Sequence, residues 1–372
     1  MNSNNKNKLL PWSEKYRPNE IDNVIYHNKI KNSIVNYMEN NRLPHLLFYG
    51  PAGVGKTSLI TAIAKHYYND DFDNMIMILN ASEERGIETV RNRIKQFVTT
   101  LGLPSNPKTP PFKLIILDEI DAMTEDAQAI LRKVVEKYVT NVRFCFICNY
   151  LKKINPAIQS RCIIFRFKPI PHSYLEKFIL NICENENIKI TKEGMNLIIK
   201  RTTGDMRKLL NILQSIYMYI DSINSKNSLN KPNILNSSDS LNISDSLSEP
   251  ECLNNHQNYI KISEKYVSKI LSCPTEKNII NILKTLQEKD LKTSCQYIEK
   301  LVISNGLSLI EIIGCIYEYF MDSITNNNRN IIKYSQEDCV KIIKNLSLIN
   351  ENLTYCNNDN IQLISFISVF YL

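Results

Sequence analysis

The sequence predicts an α/β domain, a parallel sheet with helices on both faces, followed by two helical regions. Three observations carry this. Short apolar runs alternate with amphipathic stretches over residues 1–168, and a Gly-rich loop joins the first of those runs to a helical pattern. From Pro169 onward the strand signal fades, and apolar residues recur three and four apart. The 372 residues suit two or three domains, and 43% hydrophobic with 22% charged residues excludes wholesale disorder. With 45 Lys and Arg against 38 Asp and Glu, the net charge of +7 allows a polyanionic partner without requiring one.

The predicted strands are Leu46–Tyr49, Met75–Asn80, Lys113–Leu117, Phe144–Cys148 and Ile163–Phe167, each a short apolar run bounded by polar or turn residues. Helices are predicted between them at Ser58–Tyr68, Ile87–Thr99 and Glu125–Tyr138. Tyr174–Glu186, Lys192–Arg201 and Met206–Ile220 follow as helices of a second region, 169–274. Residues 222–258 interrupt it: eighteen of the 37 are Ser or Asn, and Ser238-Asp239-Ser240-Leu241 nearly recurs as Ser244-Asp245-Ser246-Leu247. Such a segment buries too little apolar surface to offset its ordering entropy and is expected to be a disordered insertion. Glu264–Leu271 is predicted as a short helix, and 275–372 as a purely helical domain for packing or assembly.

No stretch approaches the ~18 consecutive apolar residues of a membrane span, so no membrane association is expected. The stretch Met1–Asn7 is polar and lacks the apolar run of a signal peptide. Ten cysteines are scattered along the chain, which suits reduced thiols in an intracellular protein. The pair Cys145-Phe146-Ile147-Cys148 has metal-like spacing, but residues three apart on a strand point to opposite faces and cannot share one metal. The five histidines form no cluster, so no metal site or His-based catalysis is assigned.

The strongest chemical signal is Gly50-Pro51-Ala52-Gly53-Val54-Gly55-Lys56-Thr57, followed by Ser58. It fits the phosphate-loop pattern between a strand and a helix. Glycines let backbone N–H groups turn toward phosphate oxygens, and the helix start adds positive potential. Lys56 would neutralise the β and γ phosphates of ATP, and the Thr57 hydroxyl would ligate Mg²⁺. The second signal is the strand ending in Asp118-Glu119, about 60 residues on, where open α/β sheets bind ligands. Asp118 would hold Mg²⁺ from the outer side, and Glu119 would accept a proton from the attacking water. Asp121 reads equally as a helix N-cap or a catalytic participant. Asn149, ending the Phe144–Cys148 strand, either orients water or the γ-phosphate or opens a turn. Spacing alone gives Arg161 and Arg207 no catalytic preference over surface roles.

These residues resemble a known family. The segment Leu10-Pro11-Trp12-Ser13-Glu14-Lys15-Tyr16-Arg17-Pro18 is similar to the N-terminal signature of replication factor C small subunits, the AAA+ clamp loaders. So are Leu43-Pro44-His45-Leu46-Leu47-Phe48-Tyr49-Gly50, Ser160-Arg161-Cys162 and Gly204-Asp205-Met206-Arg207. Asn80-Ala81-Ser82-Glu83-Glu84-Arg85-Gly86-Ile87 resembles a further family box, with both acids one carbon longer. The likeness is dense over 8–221 and thin over 260–372.

The resemblance implies three domains: an AAA+ ATPase domain at 1–168, a helical lid at 169–274 carrying the insertion, and a helical collar at 275–372. It also implies roles that spacing does not supply. Trp12, Tyr16, Arg17 and Pro18, with Val24, would flank the adenine, and Asn149 would be the first sensor. Arg207 would reach the γ-phosphate of the same subunit, whereas Arg161 would be an arginine finger on the neighbour's ATP. Arg85, Arg91 and Lys95 would meet DNA phosphates, contacts that carry no base code.

The expected activity is ATP hydrolysis, with Mg²⁺, within a hetero-pentamer of replication factor C subunits. That assembly would open a sliding clamp (proliferating cell nuclear antigen) and load it onto primer–template DNA during replication and repair. A nuclear location follows from that work. The alternative is a subunit of the same kind of complex that binds nucleotide without hydrolysing it. Isoleucine within Asp118-Glu119-Ile120-Asp121 and Val54 within the phosphate loop depart from the family's usual residues at positions that leave the chemistry intact.

Overall fold

Five parallel strands form the central sheet, in the order β2-β3-β4-β1-β5. They are β1 (Leu46–Tyr49), β2 (Ile76–Asn80), β3 (Lys113–Asp118), β4 (Val142–Cys148) and β5 (Ile163–Arg166). The computed structural model describes residues 10–82, 87–100, 109–229, 260–326, 334–353, 355 and 359–371. Two short helices lead in, α1 (Trp12–Lys15) and α2 (Asn28–Glu39). The strands are joined by α3 (Lys56–Tyr68), α4 (Phe72–Met75), α5 (Ile87–Thr99), α6 (Glu125–Lys137) and α7 (Pro156–Gln159). The predicted α/β class therefore holds, and every predicted strand is present within two residues of its expected ends. Met75 is the exception in kind: it ends α4 instead of opening β2.

Alternation along the strands sorts side chains onto the two faces. Leu46, Phe48, Leu114, Ile116, Cys145 and Ile147 join one buried cluster with Ile34, Leu59 and Ile63. Leu47, Ile115, Leu117, Phe144, Phe146 and Cys148 join another with Leu131, Val135 and Ile158. Cys145 and Cys148 thus lie on opposite faces, as strand geometry requires, and both are free thiols. Burial pushes the Cys148 thiol up to about 12, and that of Cys145 well above its ordinary range. Helix starts follow familiar chemistry. The Thr124 hydroxyl accepts the Ala127 N–H at 3.3 Å ahead of α6, and the Asn155 side-chain Oδ1 accepts the Ala157 N–H at 2.8 Å with Pro156 at the first helical position.

The chain clusters into two compact units, Met1–Asn185 with Ile198–Gln214, and Glu186–Leu197 with Ser215–Leu372. In sequence the division crosses the region expected to be a lid, whose helices are α8 (His172–Asn185), α9 (Lys192–Thr202) and α10 (Met206–Leu229). Two expectations need correction. First, α10 continues as helix to Leu229, so 222–229 are not part of a disordered insertion. Extending an existing helix costs far less than nucleating one, and this outweighs weak Ser and Asn propensities. The remainder of the insertion, 230–258, lies outside the described residues. Second, strands do occur after Pro169. Ile188–Ile190 (β6) pairs in parallel with Ile260–Ile262 (β7), and the two share the sequence Ile-Lys-Ile. This β-branched alternation is a strand signal, too short at three residues to stand out.

The second unit continues with α11 (Glu264–Leu271), α12 (Glu276–Glu288), α13 (Leu291–Asn305), α14 (Leu309–Asn326), α15 (Gln336–Asn352) and α16 (Asp359–Ser368). Its core gathers Ile279, Ile282, Leu283 and Leu286 from one stripe of α12 with Ile312, Ile316 and Phe320 from α14, Leu346 from α15 and Phe366 from α16. Among the described residues, no single helix is long and apolar enough to cross a membrane.

One buried histidine makes stability depend on pH. The Nδ1 of His45 accepts the Phe144 N–H at 3.1 Å, and burial holds its pKa down at about 4 against an ordinary 6.5. The unfolded chain therefore takes up a proton near 6.5 that the folded chain refuses until about 4. His45 stabilises the fold fully above pH 6.5, and that contribution drains away as pH falls toward 4. The loss for this group is on the order of 1–3 kcal/mol. His45→Gln keeps an acceptor for Phe144 but cannot titrate. Urea unfolding midpoints measured from pH 7 to pH 4.5 should fall less steeply in this variant than in the unmodified protein.

Candidate nucleotide-binding site

Parallel pairing brings three loop starts to one end of the sheet, because β4 lies between β1 and β3. The loop after β1 is Gly50–Gly55, Asp118 ends β3, and Asn149 follows β4. The loop needs its glycines for two different reasons. At Gly55, which precedes α3, φ is +89°, a left-handed backbone that side chains resist. At Gly53 a Cβ would come within 1.7 Å of Asp205 Oδ1, and Gly53 O accepts the Met206 N–H at 3.0 Å. Asp205 also accepts the N–H groups of Arg207 and Lys208 at 2.9 and 3.0 Å, so the start of α10 is capped against the loop. Val54 is buried in the core beneath, which explains why an apolar residue is tolerated there.

Lys56 opens α3 and is buried. Its Nζ donates to Gly50 O and Pro51 O at 2.7 Å each and to Asn149 Oδ1 at 2.8 Å. Burial lowers the Lys56 pKa, Asp118 opposes that shift, and the Arg207 charge adds to it. The next residue, Thr57, donates its hydroxyl to Asp118 Oδ2 at 2.6 Å. A hydroxyl and a carboxylate side by side suit a hard dication such as Mg²⁺, which keeps most of its waters or takes phosphate oxygens. Among the described residues no cluster of three His, Cys, Asp or Glu offers a rival metal site. Thr57 and Asp118 would hold the ion.

Glu119 is exposed and adopts a left-handed backbone, φ +56°, while its N–H bonds Asp118 Oδ1 at 2.9 Å. A non-glycine residue there is strained, and such strain gathers at functional sites. With Glu119 at the N-cap position of the turn Ile120–Ala122, Asp121 is not a helix N-cap. Its Oδ2 accepts the backbone N–H groups of Asn149 and Tyr150 at 3.2 Å each, so it holds the end of β4. Asn149, set this way, faces Lys56.

A cavity of about 190 Å³, open to solvent, runs from Lys56 to a wall of apolar and aromatic residues. Ala52 to Ser58, Asp118, Glu119, Asn149 and Arg207 line one end; Tyr16, Arg17, Pro18, Val24, Ile170 and Phe178 line the other. Trp12, Gly50 and Pro51 do not line it. Trp12 is buried behind Tyr16, with ring centroids 6.1 Å apart, and its backbone N–H donates to Gln214 Oε1 at 2.9 Å. It braces the wall. His27 also lines the cavity and was not singled out by sequence. Its ring lies 4.5 Å from Tyr26 and 4.6 Å from Phe167, and burial depresses its pKa to about 4, leaving it neutral near pH 7. No motif marks it; only its position just before α2 does.

Arg161 stands apart from this cavity. It is exposed, and its guanidinium donates to Glu136 Oε1 at 2.5 Å and Ala157 O at 2.6 Å. Lys95 is exposed on α5. Arg91 lies four residues earlier on that helix, and its side chain, like the whole of Arg85, lies outside the described residues.

Comparison with known proteins places the chain in a family. Residues 46–170 fit the model of the ATPase family associated with various cellular activities, and residues 274–369 fit the replication factor C C-terminal domain. The probable replication factor C subunit 5 of Dictyostelium discoideum is 39% identical over 98% of this chain and 91% of its own length. Replication factor C subunit 3 of Saccharomyces cerevisiae is 36% identical over 95% and 90%, and human replication factor C subunit 5 is 35% identical over 98% and 92%. A solved variant of RuvB from Thermotoga maritima shares the fold with a TM-score of 0.50 at 15% identity, over 88% of this chain and 98% of that one. With a phosphate loop, a paired carboxylate strand and full-length relatives at this identity, the chain belongs to the replication factor C subunits of the AAA ATPase family.

Proposed function

We propose that this chain is a hydrolysing subunit of a clamp loader, a hetero-pentamer that opens a sliding clamp and loads it onto primer–template DNA in replication and repair. The observation that carries the ATPase reading is the convergence of Lys56, Thr57, Asp118 and Asn149 within 2.6–2.8 Å contacts at one end of the sheet. It is supported by the names of the relatives, which are replication factor C subunits.

In this reading the triphosphate takes the place of the carbonyl partners that now hold Lys56. The ammonium then turns to the β and γ phosphates, and the backbone N–H groups of Gly53 to Thr57 face their oxygens. Thr57 and Asp118 would hold Mg²⁺, which would supply positive charge against the phosphates. Glu119 takes a proton from the attacking water. Asn149, steered by Asp121, orients that water or the γ-phosphate. Arg207 reaches the γ-phosphate from the start of α10, and the base packs against Tyr16, Arg17, Pro18 and Val24. Trp12 acts from behind this wall.

Arg161 does not line its own cavity and is held at Glu136 and Ala157, which supports the reading that it serves a triphosphate held by an adjacent subunit. The ATPase domain (1–168), lid (169–274) and collar (275–372) carry the nucleotide, the γ-phosphate response and the assembly contacts respectively. Exposed Lys95, with Arg85 and Arg91, contributes phosphate contacts to DNA passing through the assembly, which works in the nucleus.

Two experiments separate these claims. Lys56→Ala should abolish ATP binding by this subunit, raising its Kd by about 100-fold or more, because a charge-assisted contact to phosphate is lost; titration of a fluorescent ATP analogue measures it. Unaltered affinity would remove the phosphate-loop assignment. Arg161→Ala should spare this subunit's own binding and slow turnover at the neighbour's site by about 10³-fold. Single-site turnover in the assembled complex reads this directly, and a defect confined to this subunit's own ATP would refute the role in trans.

A further inference from the structure

The role of Arg161 depends on where its long side chain is held, and one residue outside every motif does the holding. Glu136, near the end of α6, places Oε1 2.5 Å from Arg161 Nη2 and 3.0 Å from Arg132 Nε. The side chains of Arg161, Glu136 and Arg132 are 36%, 38% and 46% exposed, so solvent screens the cluster and it adds little to folding stability. Its geometric effect is larger. Arg161 Nη1 also donates to Ala157 O at 2.6 Å. The guanidinium is therefore fixed along one edge by a carboxylate and a carbonyl, and three of its five N–H donors stay free. Arg132 holds the carboxylate in turn, on the i,i+4 spacing of a single helix.

We propose that Glu136 is a positioning residue for in-trans catalysis: it holds Arg161 in the rotamer that presents its free N–H donors to the neighbouring subunit's triphosphate. This rests on the in-trans reading of Arg161 above. An unheld arginine on the surface samples many rotamers, and a guanidinium displaced by even 1 Å loses much of its effect on the developing charge. Nothing in the sequence pattern points to Glu136. It becomes visible only once α6 and the Ser160-Arg161-Cys162 segment are seen side by side.

The test is single-turnover ATP hydrolysis at the neighbour's site in the assembled complex, for Glu136→Gln, Glu136→Asp, Arg161→Ala and the Glu136→Gln/Arg161→Ala double variant. Glu136→Gln is isosteric and uncharged. It should slow turnover about fivefold, the most an exposed ion pair sustains, while ATP affinity at that site and the urea unfolding midpoint stay unchanged. Glu136→Asp keeps the carboxylate and should fall between Glu136→Gln and the unmodified protein. The double variant should be no slower than Arg161→Ala alone. Unaltered turnover in Glu136→Gln, beside a slowed Arg161→Ala, overturns the positioning role and leaves the in-trans reading standing. A full fivefold loss added on top of Arg161→Ala overturns it too, since Glu136 would then act by another route. A silent Arg161→Ala overturns the in-trans reading and the Glu136 role together.

Discussion

The buried ammonium of Lys56 is the constraint around which the first unit is arranged. An unpaired charge at that depth would be costly, so it must be met by oxygen on several sides. Gly50 O, Pro51 O and Asn149 Oδ1 supply those contacts. Two of the three come from the loop's own backbone, which curls that tightly only because glycines tolerate its dihedrals. The third comes from a different strand, β4. The same ammonium thus reports on two segments at once, and replacing its protein partners with phosphate oxygens necessarily alters the environment of Asn149.

The sheet order makes this possible. With β4 between β1 and β3, three consecutive strand ends deliver the loop, Asn149 and Asp118 side by side. The start of α10 meets the loop through Asp205 and the Gly53–Met206 hydrogen bond. An occupant of the loop is therefore felt by Arg207 within one helical turn. At the far side of α6, the Arg132–Glu136–Arg161 cluster uses a different surface altogether. One domain thus carries a cavity at the phosphate loop and, outside that cavity's lining, an exposed cationic group.

Much of this was legible in the sequence, and the reason is periodicity. The strands β1, β3 and β4 announce themselves as apolar runs buried on both faces, β2 and β5 as short apolar runs that stay partly exposed at the sheet edges, and the phosphate loop has a pattern that follows directly from its backbone requirements. What stayed hidden depended on contacts distant in sequence. Asp121 could not be assigned because its partners, the N–H groups of Asn149 and Tyr150, lie nearly thirty residues on. His27 became a cavity residue only through Tyr26 and Phe167 packing around it. The identical Ile-Lys-Ile strands were masked by their brevity and by the 69 residues between them. Conversely, composition overreached at 222–229, where a helix already under way extends through Ser and Asn.

The central claim is that a triphosphate displaces the internal partners of Lys56 at a seam between two subunits. A structure of the assembled complex with a slowly hydrolysed ATP analogue tests it most directly. The analogue's β and γ phosphates are expected within hydrogen-bond reach of Lys56 Nζ and the Thr57 hydroxyl, with Arg161 directed at the analogue bound by the adjoining chain. Lys56 still folded onto Gly50 and Pro51 with the analogue bound elsewhere, or Arg161 facing solvent in the full assembly, would contradict it.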